Sequence, residues 1–305
     1  MKNYFAGHNS IYKTTLIQPS TLPGGLIVTL FALNVFLSIT ASLGNILILI
    51  ALYKVPSLHP PTKLLFRCLA FTDLGVGLVT QPFIAIIILS VITDINSSFL
   101  YYVAKVNTAS AFVFCGVSTG ASTAISVDRL LALLLGLRYK HVITLRRVRA
   151  IVICVWLFAI LAALLLLLWN YLLSVIIGSV LVTLCVVISI LSYAMIFIRL
   201  RQHQHQINHL QQGQPYEQST PLNIAKYKKT VSSIAWVQLT LMACYVTFAI
   251  MVVLVNTGQI VGFNGISLTL VYLNSSLSPI LYCWKINEVR QAVKDTIRQF
   301  CFFSF

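Results

Sequence analysis

The sequence contains very little charge, and acidic residues are its scarcest group. Only 9% of the 305 residues are charged, and Asp and Glu together number six. Water-soluble domains average about 25% charged residues, which they need to cover their surface. With 58% hydrophobic residues and a mean hydropathy of +0.90, the chain does not fit that class. Lipid is therefore expected to be the solvent for most of its surface.

Two further absences narrow the class of protein. Residues 1–23 have no apolar core ahead of a small-residue cleavage site, so no cleavable signal peptide is expected. Of the seven cysteines, all but Cys301 lie in apolar runs, so an extracellular disulfide framework is not supported. The basic residues behind the net charge of +15 lie between the apolar runs. This arrangement predicts a basic membrane face and no nucleic-acid partner.

Long apolar runs, two of them interrupted by a few charged residues, dominate the sequence. About 20 helical residues cross a hydrocarbon core of about 30 Å, and backbone groups in lipid need internal partners, so the runs are predicted to be helices. Runs 26–53, 64–92 and 99–135 each predict one span. Runs 150–198 and 230–284 are too long for one crossing and must fold back, which gives spans four (150–168), five (172–198), six and seven. The predicted fold class is an all-α membrane protein, a seven-transmembrane helix bundle.

The distribution of Lys and Arg predicts the orientation in the membrane. The basic loops lie on one face of the bundle, whereas the only basic residues on the other face are Lys2, Lys13 and Lys105. Cytoplasmic loops are enriched in basic residues. We therefore expect a multi-pass plasma-membrane protein with an extracellular segment (1–23), a membrane domain (24–285) and a cytoplasmic tail (286–305). The Gln- and His-rich stretch 202–221 is then a solvated cytoplasmic loop.

One acid, Asp73, is predicted at mid-bilayer, about 16 Å along its helix from Thr62. Acids at this depth are costly and indicate function by default. Two interpretations remain open. The first is a hydrated pocket that takes an allosteric sodium ion or a proton, and the second is a neutral, hydrogen-bonded Asp that fixes packing. The polar residues on other spans that are available to surround it are Asn45, Ser118, Asn274, Ser275 and Ser278.

A second charged feature, Asp128-Arg129, lies at the cytoplasmic end of span three. An adjacent acid and base neutralise each other there and still allow the Arg to be released to a cytoplasmic partner. Simple anchoring at the interface is equally compatible with the charges, because Arg extends readily to the membrane surface.

The ordered set of motifs resembles the rhodopsin-like (class A) G protein-coupled receptors, and loosely the melanocortin, adenosine and cannabinoid branch. The resemblance covers nearly the whole chain in order and spacing. The positions that carry it are Asn45 after Gly44, Asp73 in Leu69-Ala70-Phe71-Thr72-Asp73, Asp128-Arg129-Leu130 with Tyr139, Trp156, Tyr193, and Ser278-Pro279-Ile280-Leu281-Tyr282.

The resemblance implies a mechanism and partners. An extracellular ligand in the outer half of the bundle favours an outward swing of span six, and Arg129 leaves Asp128 to meet a heterotrimeric G protein. Tyr193 and Tyr282 support Arg129, Tyr139 belongs to the same switch, and the polar pocket around Asp73 biases the inactive state. The family's acid at the foot of span six is missing from Lys226-Tyr227-Lys228-Lys229. We therefore expect ligand-independent signalling, and we expect neither catalytic residues nor an enzyme activity.

Several positions depart from the family pattern. Span six has Cys244-Tyr245-Val246-Thr247 where the family has Cys-Trp-x-Pro. Cys185 replaces a proline common in span five, and Ala104 replaces the span-three cysteine, so the family's extracellular disulfide is expected to be absent.

The ligand is constrained mainly by exclusion. Ala111 replaces the aspartate of amine receptors, and Val252 replaces the asparagine of adenosine receptors. A small, largely apolar or lipid-like ligand is expected, with Lys105 either pairing with an acidic headgroup or extending to the interface. The candidate lining residues are Phe83, Tyr101, Tyr102, Lys105, Asn107, Thr108, Ala111, Cys115, Tyr245, Val252 and Tyr272.

Two peripheral features concern modification and membrane lipids. Asn96-Ser97-Ser98 is a glycosylation sequon in the first extracellular loop. After span seven, apolar residues recur at helical spacing against basic ones, which predicts an amphipathic helix on the inner leaflet with Cys301 as a palmitoylation site. The apolar set is Val289, Val293, Ile297 and Phe300, and the basic set is Arg290, Lys294 and Arg298.

Other seven-span classes fit less well. A retinal protein needs a lysine in the middle of span seven, and residues 265–284 contain none. A metallohydrolase needs His and acidic ligands within the bundle, but all six histidines lie outside the predicted spans. No metal site is therefore predicted. An ion or solute carrier that uses Asp73 as its coupling site remains the alternative.

Overall fold

The structure is a computed structural model that describes residues 23–55, 58–90, 93, 97–168, 171–211, 264–285 and 287–303, with single helical residues at 243, 246 and 250. The regular secondary structure of these residues is entirely helical. The predicted all-α fold class is confirmed.

The helices follow the predicted order. Five of those described are long and apolar enough to cross a membrane. Span six lies outside the described residues apart from Ala243, Val246 and Ile250. The bounds are Gly24–Lys54 for the first span, Pro60–Leu89 for the second, Ser97–Leu135 for the third, Leu145–Leu168 for the fourth, Tyr171–Gln211 for the fifth and Asn264–Lys285 for the seventh. The amphipathic helix that follows is Asn287–Phe303.

The fifth span departs from the predicted bounds at its inner end. Its helix continues to Gln211, into the stretch 202–221 that the sequence analysis treats as a solvated loop. Gln and Arg are good helix formers, and the next proline along the chain is Pro215. Polar composition therefore ends the apolar run without ending the helix. The side chains of the three histidines in this stretch, His203, His205 and His209, are outside the described part of the chain.

The second span contains a π-helical turn, Val76–Thr80, between two α-helical segments. Such turns are rare and are frequent at functional sites. The Gly77 carbonyl oxygen within the turn accepts a hydrogen bond of 2.7 Å from the Ser38 hydroxyl group of the first span. The turn therefore changes the register of the helix just before Gln81.

The apolar core has an inner and an outer part. The inner cluster joins the first, second and third spans to the amphipathic helix and includes Ile48, Leu52, Phe66, Val117 and Val289. The outer cluster joins the first, second, third and seventh spans and includes Ile27, Val76, Ile84, Val103 and Tyr272. Most of the fourth and fifth spans' apolar side chains are exposed, as expected of helices that face lipid.

One glycine brings the first and seventh spans together. A Cβ atom at Gly44 would lie 2.9 Å from Pro279 Cβ and Cγ, which is too close for two carbon atoms. Any side chain at position 44 would therefore collide with the Pro279 ring. The next residue, Asn45, is thereby held against the seventh span.

Within the described residues, Cys68, Cys115, Cys154, Cys185 and Cys283 are free thiols. Ala104, which replaces the family's span-three cysteine, is a buried apolar residue. The bundle is therefore held by packing and hydrogen bonds in the part that the structure describes.

Candidate functional site

The Asp73 carboxyl group lies at the centre of a buried polar cluster. Its Oδ1 atom accepts hydrogen bonds from Ser118 Oγ at 3.1 Å and from Ser275 Oγ at 2.9 Å. The donors belong to the third and seventh spans, so the carboxyl group connects three helices. Asp73 itself is fully buried.

Two oxygen atoms in this cluster have no hydrogen-bond donor. They are Asp73 Oδ2 and Asn45 Oδ1, both completely buried. The Asn45 amide nitrogen donates to the carbonyl oxygens of Ala41 at 2.8 Å and Ser275 at 3.0 Å, so its oxygen faces away from those contacts. Buried acceptors without donors are costly, and they fit a bound cation, a proton or ordered water.

The remaining predicted members of the pocket, Asn274 and Ser278, lie on the seventh span. Ser278 lies near the Asp73 carboxyl group, but its hydroxyl group donates to the Asn274 carbonyl oxygen at 3.0 Å. Asn274 is buried. Of the predicted residues, Ser118 and Ser275 are the ones whose hydroxyl groups donate hydrogen bonds to Asp73 Oδ1.

The second site is a network of hydrogen bonds around Asp128. Arg129 Nη2 lies 2.9 Å from Asp128 Oδ2 in an ion pair. Thr62 Oγ1 of the second span donates to the same oxygen at 3.0 Å, and the Tyr139 hydroxyl group donates to Asp128 Oδ1 at 2.5 Å. Asp128 is buried, whereas the Arg129 side chain is 24% exposed. Three side chains therefore hold the Asp128 carboxylate, whereas the Arg129 guanidinium group remains partly exposed.

Tyr139 belongs to a single helical turn, Tyr139–Val142, beyond the third span. Burial and the hydrogen bond to Asp128 raise the pKa of the Tyr139 phenol to about 12, so the group remains a proton donor at physiological pH. The His59 ring lies 5.2 Å from the Tyr139 ring and fills the space beside it.

The two remaining switch candidates flank this network. Tyr193 packs with Leu130, Ile196 and Leu200, and its hydroxyl group is buried without a hydrogen-bond partner. Tyr282 meets Phe66 edge to face, with ring centroids 5.2 Å apart. Neither tyrosine makes a described hydrogen bond to Arg129 in this conformation.

The outer half of the bundle brings together part of the predicted ligand set. Phe83, Ala111, Cys115 and Tyr272 share the outer apolar cluster. Asn107 is 2% exposed and Tyr272 is fully buried, and the Asn107 side chain lies beside the Tyr272 hydroxyl group. The Thr108 hydroxyl group instead donates to the Ala104 carbonyl oxygen at 2.8 Å. The result is an apolar cluster that contains two buried polar side chains.

The outer rim is aromatic and basic. Lys105 Nζ lies over the Tyr101 ring, 5.3 Å from its centroid, and the Tyr101 and Tyr102 rings are 5.6 Å apart. Tyr245 and Val252, the predicted contributions of span six, lie outside the described residues.

Comparison with known proteins gives a consistent result. The family described as 7 transmembrane receptor (rhodopsin family) matches residues 44–172, which include Asn45, Asp73 and Asp128-Arg129. Adenosine receptor A3 of Bos taurus is 25% identical over 299 residues, covering 87% of this chain and 88% of the relative. Melanocortin receptor 5 of Mus musculus is 24% identical over 283 residues, covering 87% and 84%. Adenosine receptor A2b of Rattus norvegicus is 34% identical over 129 residues, covering 42% and 37%.

The chain is similar to the seven-transmembrane receptors of the rhodopsin family. The predicted resemblance is confirmed, and adenosine and melanocortin receptors, which the sequence motifs favour, are among the similar proteins. Apolar helices and receptor relatives together make it a multi-pass protein of the plasma membrane.

Sequence reasoning missed two residues of this receptor's sites. In the sequence, Thr62 only marks the start of the helix along which the depth of Asp73 is counted. In the structure, the Thr62 hydroxyl group donates a hydrogen bond to the Asp128 carboxylate. Gln81 is fully buried, and neither atom of its amide group has a partner. A polar residue directly before Pro82 in an apolar run is the signal that points to Gln81, whereas nothing in the sequence pairs Thr62 with Asp128.

The modification sites of the receptor lie beyond the described side chains. Asn96 falls outside the described residues. Cys301 lies within the amphipathic helix, but its side chain is outside the description. Both remain predictions.

Proposed function

We propose that this receptor binds an extracellular ligand in the outer half of its bundle and activates a heterotrimeric G protein through Arg129. The observation that carries the proposal is the network around Asp128. It places a buried acid beside a partly exposed Arg at the basic end of the bundle. Release of Asp128 would free the guanidinium group for a cytoplasmic partner.

The proposed ligand is small and largely apolar or lipid-like. The outer cluster that would receive it is lined by apolar and aromatic side chains, as ligand cavities usually are. The buried Gln81 amide has no hydrogen-bond partner, and Asn107 and Tyr272 are buried polar groups nearby in the outer half, so a ligand with one or two hydrogen-bonding groups fits better than a bare hydrocarbon. Lys105 at the rim is available for an acidic headgroup.

The Asp73 cluster is proposed to bias the inactive state by holding a sodium ion or a proton. Sodium requires oxygen ligands, and Asp73 Oδ2 and Asn45 Oδ1 are buried oxygens without donors. Ser118, Ser275, Asn274 and Ser278 complete an oxygen-rich surrounding. A bound cation would supply positive charge that compensates the buried carboxylate and connects the second, third and seventh spans.

Ligand-independent signalling is part of the proposal. A ligand shifts a conformational equilibrium only by its differential affinity for the two states, so the basal level depends on restraints within the protein. The acid that the family places at the foot of span six is missing from residues 226–229. The restraint on Arg129 then depends on Asp128 and the donors that hold it.

The orientation proposed is an extracellular amino terminus and a cytoplasmic carboxyl terminus. The exposed basic residues Lys140, Arg146 and Arg149 adjoin the Asp128 network, and Lys54 ends the first span on the same side. The excess of basic residues on this side favours the cytoplasm. Topology mapping that places stretch 202–221 outside the cell would overturn the proposal.

A ligand screen with several G protein reporters in parallel tests the function as a whole, because one hit fixes ligand class and coupling together. The alternative, a carrier that uses Asp73 as its coupling site, predicts solute flux in proteoliposomes without any G protein. Flux that depends on Asp73, together with no reporter response, would favour the carrier. Agonist-dependent nucleotide exchange on a purified G protein would support the receptor.

A further inference from the structure

Two buried hydroxyl groups connect the third and fifth spans. Thr123 Oγ1 donates to the Cys185 carbonyl oxygen at 3.2 Å, from one helix to the other. The Ser189 hydroxyl group donates to the same carbonyl oxygen at 2.9 Å and to Thr123 Oγ1 at 3.2 Å. Both side chains are buried. The Cys185 carbonyl group therefore has two hydroxyl groups within hydrogen-bond distance.

The two hydroxyl groups have only two protons to donate, because each hydroxyl group carries one. In one arrangement, Thr123 donates to Cys185 and Ser189 donates to Thr123. In the other, Thr123 donates to the Thr119 carbonyl oxygen at 3.0 Å and Ser189 donates to Cys185. Both arrangements give the Cys185 carbonyl oxygen one hydroxyl donor besides the backbone N–H of Ser189, which the α-helix supplies.

This additional donor lowers the cost of bending the fifth span. A bend lengthens the backbone hydrogen bond from Ser189 to Cys185, and a buried carbonyl group that loses its donor is costly. Here a hydroxyl group keeps the carbonyl oxygen bonded. Ser and Thr side chains that bond to the carbonyl four residues earlier often bend helices. A proline, which bends a helix by removing a backbone donor, is common in the rhodopsin-like family where this chain has Cys185.

The fifth span contacts the third span on both sides of this turn. In the outer half, a Cβ atom at Gly178 would lie 2.9 Å from the Phe112 ring. In the inner half, Ile196 and Leu200 pack against Leu130, which follows Arg129 in the chain. A bend between these two contacts moves the inner half of the helix while the outer half stays in place.

We propose that Thr123 and Ser189 are positioning residues that form a hinge in the fifth span at Cys185. The helix from Cys185 to Arg201 is about 24 Å long, so a bend of about 20° displaces its inner end by about 8 Å. The inner half carries Tyr193, which moves relative to the third span. The consequence for G protein coupling rests on the proposed function, whereas the bend itself does not.

The test measures the distance between two spin labels in the full-length receptor in nanodiscs. Keto amino acids at the exposed positions Arg201 and Ile297 carry the labels, so the cysteines are not labelled. We expect two distances that differ by up to about 8 Å. Thr123→Val/Ser189→Ala should lower the fraction of the second distance about tenfold. Thr123→Val alone should lower it about threefold, the effect of one hydroxyl bond between membrane helices.

Two further variants separate the hinge from a loss of packing. Thr123→Ser keeps the hydroxyl group and should keep the second distance. Cys185→Pro, added to Thr123→Val/Ser189→Ala, supplies a bend by another means and should restore it. Failure of both variants to show the second distance would contradict a hinge made by the hydroxyl groups.

The matched control is Thr183→Val/Ser192→Ala. These hydroxyl groups donate at 2.8 Å to carbonyl oxygens four residues earlier in the fifth span. The control should keep both distances. A single distance in the unmodified receptor, or equal loss in the control and the hinge variant, would overturn the hinge. The unfolding temperature identifies any misfolded variant, and Thr123→Val alone then decides.

Nucleotide exchange without ligand separates the hinge from the proposed function. The basal rate should fall by the same factor as the fraction of the second distance, because only the competent state couples. A second distance that depends on Thr123 and Ser189, in a receptor that accelerates exchange on no G protein, would support the hinge and remove the proposed function. Unchanged exchange by Thr123→Val/Ser189→Ala, at normal unfolding temperature, would contradict the role of the hinge in activation.

Discussion

The Tyr139 hydroxyl group donates a 2.5 Å hydrogen bond to Asp128 Oδ1, so a residue beyond the third span holds the acid that pairs with Arg129. Charge-assisted O–H···O bonds have this length. Thr62 holds the other carboxylate oxygen from the second span. The rhodopsin-like family often restrains the Arg from span six, whereas the described residues here show a restraint centred on Asp128. Activation would have to loosen contacts among the third span, the second span and the loop that follows.

Removal of the donors to Asp128 should raise ligand-independent signalling. A hydrogen bond to a charged group contributes roughly 1.5 kcal/mol, so Tyr139→Phe should raise the basal reporter signal by up to about tenfold. Tyr139→Phe combined with Thr62→Val should raise it further. Tyr53→Phe, at an exposed position on the same side, should leave it unchanged. A basal signal that falls in the Tyr139 variant at equal surface expression would rule out this restraint.

Sodium should stabilise the receptor through Asp73. At about ten times its dissociation constant, a ligand stabilises the folded state by roughly 1.4 kcal/mol. We expect a higher unfolding temperature in NaCl than in KCl of equal concentration, and no such difference for Asp73→Asn. Asp295→Asn, at an exposed site, should keep the difference. If the unmodified receptor shows none, Asp73 is a neutral packing residue and the cation role is excluded.

Gly44→Ala should destabilise the contact between the first and seventh spans. The added methyl carbon would lie 2.9 Å from Pro279, and overpacking of this kind costs about 1–3 kcal/mol. The unfolding temperature in detergent should fall by several degrees. Gly25→Ala, where a Cβ atom meets nothing within 4 Å, is the matched control. Equal unfolding temperatures for the two variants would refute the close approach.

Gln81→Leu should stabilise the ligand-free receptor. The amide group is buried without partners, and an unsatisfied buried polar group costs about 1–3 kcal/mol. We expect a higher unfolding temperature together with a weaker response to any agonist that the screen finds, because the agonist would lose a hydrogen-bonding group. A lower unfolding temperature would indicate that Gln81 has hydrogen bonds in the membrane.

Much of the fold follows from the sequence because lipid imposes simple rules. Apolar runs long enough to cross a bilayer predict the first five spans, and the structure shifts their ends by a few residues except at Gln211. There the apolar run ends where the membrane does, but the helix continues because its polar residues also favour helix. Hydropathy indicates whether lipid or water surrounds a helix. It does not indicate where the backbone hydrogen bonds of the helix end.

The sites were only partly predictable. Asp73 and its neighbourhood stand out because a polar residue in an apolar run is costly to bury in lipid. Such a residue can be recognised from the sequence alone. The pairing of Thr62 with Asp128, and the register change at Val76–Thr80 that precedes Gln81, depend on how helices cross. No spacing along the chain encodes that crossing. The donors that complete each polar cluster therefore appear only in three dimensions.

Nucleotide exchange on purified heterotrimeric G proteins tests the central claim most directly. The receptor in nanodiscs, without ligand, is expected to accelerate exchange on at least one G protein of a panel. Arg129→Ala, with normal surface expression and unfolding temperature, should reduce the rate to that of the G protein alone, while Arg146→Ala, at an exposed position, should not. Exchange by Arg129→Ala as fast as by the unmodified receptor would contradict the account.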